Sequence, residues 1–241
     1  MPERSISAVP KPVWWLLLAS LCLQLAWQGL QPRPVARAEA LVFPPETPAL
    51  KALSLGEPIA LSQLMTLYLQ AFDNQPGISI PFKDLDYERV EAWLSRILEL
   101  DPVGQYPLLI ASHLYAQVPD AQKQRRMLQF VYAQFFHDPN RRWPWLAHAA
   151  IMAKHRLDDL PLALKYAQAI TAHASGPEVP HWATQMRIFL LEDMGEVESA
   201  KVLLGGLLVN GIITDPHEIH FLTERLQQLE SAEKSSKTPK K

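Results

Sequence analysis

Three things that would point to a known chemistry are scarce in this chain. Cysteine occurs once in 241 residues, at Cys22, so neither an intrachain disulfide nor a Cys-based zinc site can form. Glycine occurs nine times against twenty-one prolines, which disfavours turn-rich β-sandwiches and glycine-rich phosphate loops. An excess of one charge is also missing. The formal net charge of −2 lacks the basic footprint of a general nucleic-acid binder, so no nucleic acid is expected as partner. Gly-x-Ser-x-Gly, Walker and Gly-x-Gly-x-x-Gly motifs are absent, as is any reactive-cysteine arrangement. The sequence therefore predicts a non-enzyme, with no catalytic residue, no cofactor and no metal. Hydrophobic residues at 48% and charged residues at 20% fit a globular protein with a core.

One long apolar run is present. Val13 to Trp27 (VWWLLLASLCLQLAW) carries no charge, and its extension to Leu30 adds only Gln28 and Gly29 as interruptions. As a helix, residues 13–30 reach about 27 Å, close to a bilayer core of roughly 30 Å. Trp14, Trp15 and Trp27 lie at its ends, where indole rings favour the headgroup region. The run reads as a transmembrane anchor or a signal segment behind an N-terminal tail, 1–12. Ala36-Arg37-Ala38 has the small-x-small form of a cleavage site but lies well past the run. Arg4 and Lys11 before the run balance Arg33 and Arg37 after it, so flanking charge gives little orientation. Residues 31–57, with Pro32, Pro34, Pro44, Pro45 and Pro48, are expected to form an extended spacer.

Beyond the spacer, apolar residues recur at helical spacing. Helices are predicted over Ile59–Phe72, Tyr87–Leu100, Tyr106–Gln117, Ala121–Phe136, Pro144–Arg156, Leu160–Ala172, Pro180–Met194, Val197–Asn210 and Pro216–Ala232. The breaks between them recur too: Asp101-Pro102, Asp138-Pro139, Gly176-Pro177 and Asp215-Pro216. Measured from proline to proline, the intervals are 37, 38 and 39 residues. A regular break with two helices per interval marks helical hairpins stacked in series. In the last two intervals Asp158 and Gly195 take the mid-hairpin turn, and Ala163 and Ala200 follow at the same offset. The connection from Asp73 to Asp86 is long for a hairpin and is expected to tuck Ile78, Ile80 and Phe82 against the array, as a lid or a packed elaboration.

On these Asp-Pro closures, hairpin lengths and early small residues, with Tyr166 and Ala169 in LALKYAQAI, the chain resembles the tetratricopeptide-repeat (TPR-like) superfamily. It departs from that family in lacking its helix-A glycine and in having longer intervals. The resemblance implies an all-α fold, a TPR-like α-solenoid of stacked hairpins over residues 58–232, behind the single N-terminal helix. A disordered basic tail, 233–241, completes the chain. Such arrays bind peptides or proteins on a concave face.

Candidate contacts are few. Between Pro102 and Leu157 the cations Lys123, Arg125, Arg126, Arg141, Arg142, Lys154 and Arg156 face only Asp120 and Asp138. The pentapeptide Arg141-Arg142-Trp143-Pro144-Trp145 is expected to open a helix at Pro144. Its arginines are suited to grip an anion and its indoles to stack on a ligand, or else to pack and pair internally. Trp145, His148, Met152 and His155 share one face of that helix. The two histidines are ~10.5 Å apart along the axis, too far to share a metal. His217-Glu218-Ile219-His220 lacks the i, i+4 histidine spacing of a metalloprotease helix. Partner-binding residues are therefore expected among Arg141, Arg142, Trp143, Trp145, His148 and His155. The expected role is a membrane-tethered scaffold that holds a protein partner on the outer, periplasmic side of a cytoplasmic membrane. The alternative is a binder or processing enzyme of anionic envelope lipid or polymer, using the basic middle.

Overall fold

A computed structural model of the chain describes residues 10–31, 38–209 and 213–237. It divides the chain into two compact units, Met1–Ala38 with Pro76–Ile78, and Glu39–Gln75 with Ser79–Lys241. Among the described residues eleven α-helices run in chain order: α1 Lys11–Leu30, α2 Thr47–Leu53, α3 Pro58–Ala71, α4 Tyr87–Leu100, α5 Tyr106–His113, α6 Ala121–Phe135, α7 Pro139–His155, α8 Leu160–His173, α9 His181–Asp193, α10 Val197–Val209 and α11 Pro216–Lys237. Two strands of two residues each, Asn74–Gln75 and Ile78–Ser79, are the only β structure described.

In the first unit, α1 buries no side chain. It has twenty residues, an 18-residue window of which has a mean hydropathy of 1.4, and is long and apolar enough to cross a membrane, as a signal sequence also is. The complete exposure sets α1 apart from a core helix of a soluble protein, which hides its apolar side chains. The small-x-small site begins at Ala36 and so falls partly outside the described residues, as do Pro32, Pro34 and the tail before Pro10.

The second unit is helical throughout, and its prolines explain how so many fit. Pro48, Pro58, Pro107, Pro139 and Pro161 each occupy the first turn of a helix, where the missing N–H had no partner to lose. Acidic residues complete several starts. Asp86 accepts from the amides of Glu88 and Arg89, Asp120 from those of Gln122 and Lys123, and Asp159 from that of Leu162. Helix neighbours in sequence pack together from α3 to α11. Leu69, Val90, Leu94, Leu108, Met127, Leu128, Phe135, Leu146 and Ile170 supply a common core, all fully buried. Each such aliphatic or aromatic side chain contributes roughly 1.5–3 kcal/mol by leaving water.

Both expected turns, at Asp158 and Gly195, take left-handed backbone. Asp158 has φ 51° and Gly195 has φ 77°. At Gly195 the Glu196 amide reaches the Leu191 carbonyl and the Gly195 amide reaches that of Glu192, the paired bonds of a Schellman end. Ala163 and Ala200, five residues on, are fully buried, so the second helix of each pair packs closely on the first.

Four expectations need correction. Helix α7 begins at Pro139, not Pro144; Pro144 lies inside it and forfeits a bond to the Asn140 carbonyl. The reason is that Asp138-Pro139 is itself a helix start, and the tertiary contacts of the next turn hold the helix through the defect. Helix α5 stops at His113, and a 3-10 turn over Tyr115–Gln117 finishes the segment. That change of backbone places the Tyr115 carbonyl to accept from the Tyr87 hydroxyl at 2.9 Å. Residues 31–57 are not extended throughout, because α2 forms over Thr47–Leu53. There Leu41 and Leu50 are buried, and Arg89 and Trp93 donate to the carbonyls of Leu41 and Val42. Proline excludes a helix interior but not a first turn, so Pro48 starts α2. Lastly, α11 runs to Lys237, five residues into the stretch expected to be disordered; Glu and Lys are good helix formers and prolong it.

The long connection before α4 packs down. Ile80 and Phe82 rest on the core, and Lys123 of α6 donates to the carbonyls of Lys83 and Leu85.

Candidate functional site

Helix α7 carries all six residues singled out by the sequence, and the fold sends them to different places. Arg142 is only 2% exposed. Its guanidinium donates to the Gln134 carbonyl in the last turn of α6 at 2.6 Å and to the Pro102 carbonyl at 2.7 Å. It thus adds a side-chain donor to the Gln134 carbonyl, which also accepts from the His137 amide, and serves the Pro102 carbonyl in the loop. Burial lowers its pKa from the usual arginine value, with Asp138 opposing and Arg141 assisting. Arg141, one position on and about 100° round the helix, is exposed, with Asp138 at 3.8 Å.

The loop stitching extends further. The Asn140 side chain accepts from the amides of Ser175 and Gly176 at 2.9 and 2.8 Å. A Cβ on Gly176 would lie 3.0 Å from the Asn140 Cγ, so this approach needs glycine. Residues 138–142 therefore bond backward to the 101–102 break and forward to the 175–176 break. Successive breaks are neighbours in space.

The two tryptophans join different helices. Trp143 meets Trp182 of α9 edge to face at 5.3 Å. Trp145 donates its indole N–H to Gln105 at 2.8 Å and presents an edge to His113 of α5. His148 stacks on His113 with ring centroids 3.5 Å apart and planes within 13°. The Ser112 hydroxyl uses its proton on the Leu108 carbonyl, so it accepts from the His113 Nδ1–H at 2.9 Å. Burial, and then the His113 ring, lowers the His148 pKa, against an opposing pull from the Ser112 backbone; its Nε2 is buried without a partner. Neutral rings can stack this closely where two imidazolium ions would repel. His155 is exposed at the far end of α7 and joins none of these groups.

Ring contacts and ion pairs both link helices two places apart in chain order. Rings join α5 to α7, α7 to α9, and, through Phe189 and Phe221 at 6.3 Å, α9 to α11. Trp182, Ile151 and Phe221 remain about half exposed there. On the even helices, Arg126 of α6 pairs with Glu91 of α4, and Arg125 of α6 with Asp159 at the start of α8. Glu91, Arg125 and Arg126 line an 850 Å³ groove between α4 and α6. The Arg125 pairing holds the Asp159 carboxyl below its ordinary range. Most of the basic middle is accordingly matched from within: Lys154 pairs with Asp193, and Lys123 is bonded to backbone carbonyls. His217 and His220 are exposed, and among the described residues no three His, Cys, Asp or Glu side chains gather as a metal-binding group.

Sequence reasoning missed Gln105, Ser112, His113 and Trp182. A signal for His113 existed. His113 precedes His148 by 35 residues, close to the 37–39-residue interval between breaks. Comparison with known protein families, curated proteins and solved structures found no match to the chain.

Proposed function

We propose that the chain is a TPR-like α-solenoid scaffold, tethered to a membrane by α1, which holds a protein partner on the outer side of that membrane. One observation carries the solenoid: side-chain links between helices two places apart recur at sequence separations of 33 to 40 residues. Gln70–Tyr106 spans 36 residues, Arg126–Glu91 35, Arg125–Asp159 34, Trp145–Gln105 40, Lys154–Asp193 39, Gln185–Glu218 33 and Arg225–Glu192 33. That range brackets the 37–39-residue interval between the Asp-Pro and Gly-Pro breaks, as expected when each hairpin leans on the next. A bundle wrapped round one centre has no reason to keep its separations within so narrow a range.

The partner face in this reading is the ring-linked edge of α5, α7 and α9, with Trp182 and Ile151 as exposed anchors; half-exposed aromatic side chains favour protein contacts. Arg142 serves the frame rather than the partner. The test is site-specific photocrosslinking in intact membranes, with the crosslinker at position 182 and, as control, at Gln129 in the charged α4–α6 groove. A reproducible protein neighbour at 182 and none at 129 is expected. Recovery of no protein at either position would sink the scaffold reading. The mature N-terminal residue, read by peptide sequencing, distinguishes a retained α1 from a cleaved one.

A further inference from the structure

A second feature lies away from α7, where α3 faces the start of α5. A cleft of 410 Å³ opens there, lined by Ser62, Thr66, Leu67, Gln70, Asp101 and Tyr106 among others. The Ser62 hydroxyl donates to the Ile59 carbonyl and the Thr66 hydroxyl to the Ser62 carbonyl, so both protons are engaged within α3. The Gln70 amide nitrogen donates to the Tyr106 hydroxyl at 2.7 Å. The hydroxyl oxygens of Ser62 and Thr66 and the Gln70 side-chain carbonyl keep lone pairs to offer, beside the remaining N–H of Gln70 and the O–H of Tyr106.

Asp101 adds a full negative charge to that set. Its backbone is committed, with its N–H on the Ile97 carbonyl and its own carbonyl accepting from Gly104. Its carboxylate is not: Oδ1 is buried with no hydrogen-bond partner, and no described cation pairs with it. A buried carboxylate oxygen without a partner is a costly arrangement that a ligand can relieve. Gly104 makes room for it, since a Cβ there would lie 2.7 Å from Asp101 Oδ2. The aliphatic walls, Leu67, Ile97 and Pro107, suit a hydrocarbon stem leading to a charged head.

We propose that this cleft binds the lysine or arginine side chain of a polypeptide partner, with the Asp101 carboxylate as its counter-ion. An ammonium brings three donors and a guanidinium five, which the Asp101 carboxylate and the Ser62, Thr66 and Gln70 oxygens can accept. Leu67 and Gln63 are exposed at the rim, so a side chain carried on an external strand of peptide can enter. The site deepens the scaffold reading by giving the partner a positively charged residue, and it rests on that reading for the partner's being a protein.

The test uses the full chain in lipid nanodiscs. Fluorescein-labelled twelve-residue alanine–glycine peptides, each with one central Lys, Arg, norleucine or Glu, are titrated by fluorescence anisotropy, with free butylamine as a competitor. The Lys and Arg peptides are expected to bind, and the norleucine and Glu peptides to bind at least tenfold more weakly. Asp101→Asn should weaken the Lys peptide by about 10- to 100-fold, the range for a charge-assisted hydrogen bond. Leu67→Lys alters only an exposed rim position and puts a competing ammonium at the mouth, so it should weaken binding while the melting curve stays unchanged. Equal binding of the norleucine peptide, or unchanged binding in both variants, overturns the proposal. Butylamine competing as well as the Lys peptide would make this a small-amine pocket and overturn the peptide assignment. The crosslinking at position 182 is read separately, so a failed cleft leaves the scaffold standing and a failed scaffold shows there first.

Discussion

Helices α2 to α9 and helices α9 to α11 are built by the same rules but to different depths. The first group shares one extended core, from Leu41 to Leu190. The second has six buried residues, Ile188, Ala200, Leu204, Ile213, Leu222 and Leu229. Helix α9 belongs to both, with Leu190 in one core and Ile188 in the other. Apolar side chains left in solvent tell the same story: Val202 and Val209 are 73% and 85% exposed on α10. Glycines at 205 and 206, inside α10, have nothing within 4 Å of where a Cβ would stand. With so few buried side chains, the stability of α10 and α11 is correspondingly local.

The sharpest way to break this contrast is to cut one side chain in each core. Leu94→Ala should destabilise the whole second unit by about 3–5 kcal/mol and lower its melting temperature. Leu204→Ala should remove about 2 kcal/mol, and hydrogen exchange should lose protection in α10 and α11 alone. Equal, global effects from the two would show that the regions are one cooperative block.

Next in size is the arginine pair. Arg142→Met leaves the Gln134 and Pro102 carbonyls without their donor and should cost about 2–4 kcal/mol in chemical denaturation. Arg141→Ala, at an exposed side chain with a distant acid, should change stability by less than about 0.5 kcal/mol. Similar losses from both would contradict the inward and outward division.

A smaller effect is expected from pH. The folded His148 binds its proton less readily than the unfolded side chain, whose pKa is 6.5. Between the lowered folded value and 6.5 the unfolded state therefore carries more protons, and stability falls as pH drops below about 6.5. His148→Gln should flatten that part of the stability-versus-pH curve measured by urea unfolding. Smallest of all, Gly205→Ala and Gly206→Ala should each add up to about 1 kcal/mol to α10 by helix propensity. Slower amide exchange in α10, with none in α4, is the expected signature.

Much of the framework was legible in the residues. Apolar spacing located nine helices of the second unit to within a few residues, apart from the start of α7 and the ends of α5 and α11, because that spacing is a local property of a helix facing a core. The positions of the turns at Asp158 and Gly195, though not their left-handed backbone, followed from comparing two intervals. The candidate site was legible only in part. Position 142 reads as an exposed cation beside position 141, and only the carbonyls of Gln134 and Pro102 make it an interior donor. The docking of Leu41 and Leu50 escaped because seven residues of α2 are too few to show a period amid prolines.

Sequence by itself determined that the protein is helical, that its breaks recur about every 38 residues and that one uncharged apolar run precedes them. These features depend on residues within a few turns of each other. Tertiary structure alone decided which side of each helix is covered. It set His113 on His148, turned Arg142 inward, and left the Asp101 carboxylate unpartnered. Coverage depends on side chains brought from a hairpin away, and no local period records what they will be.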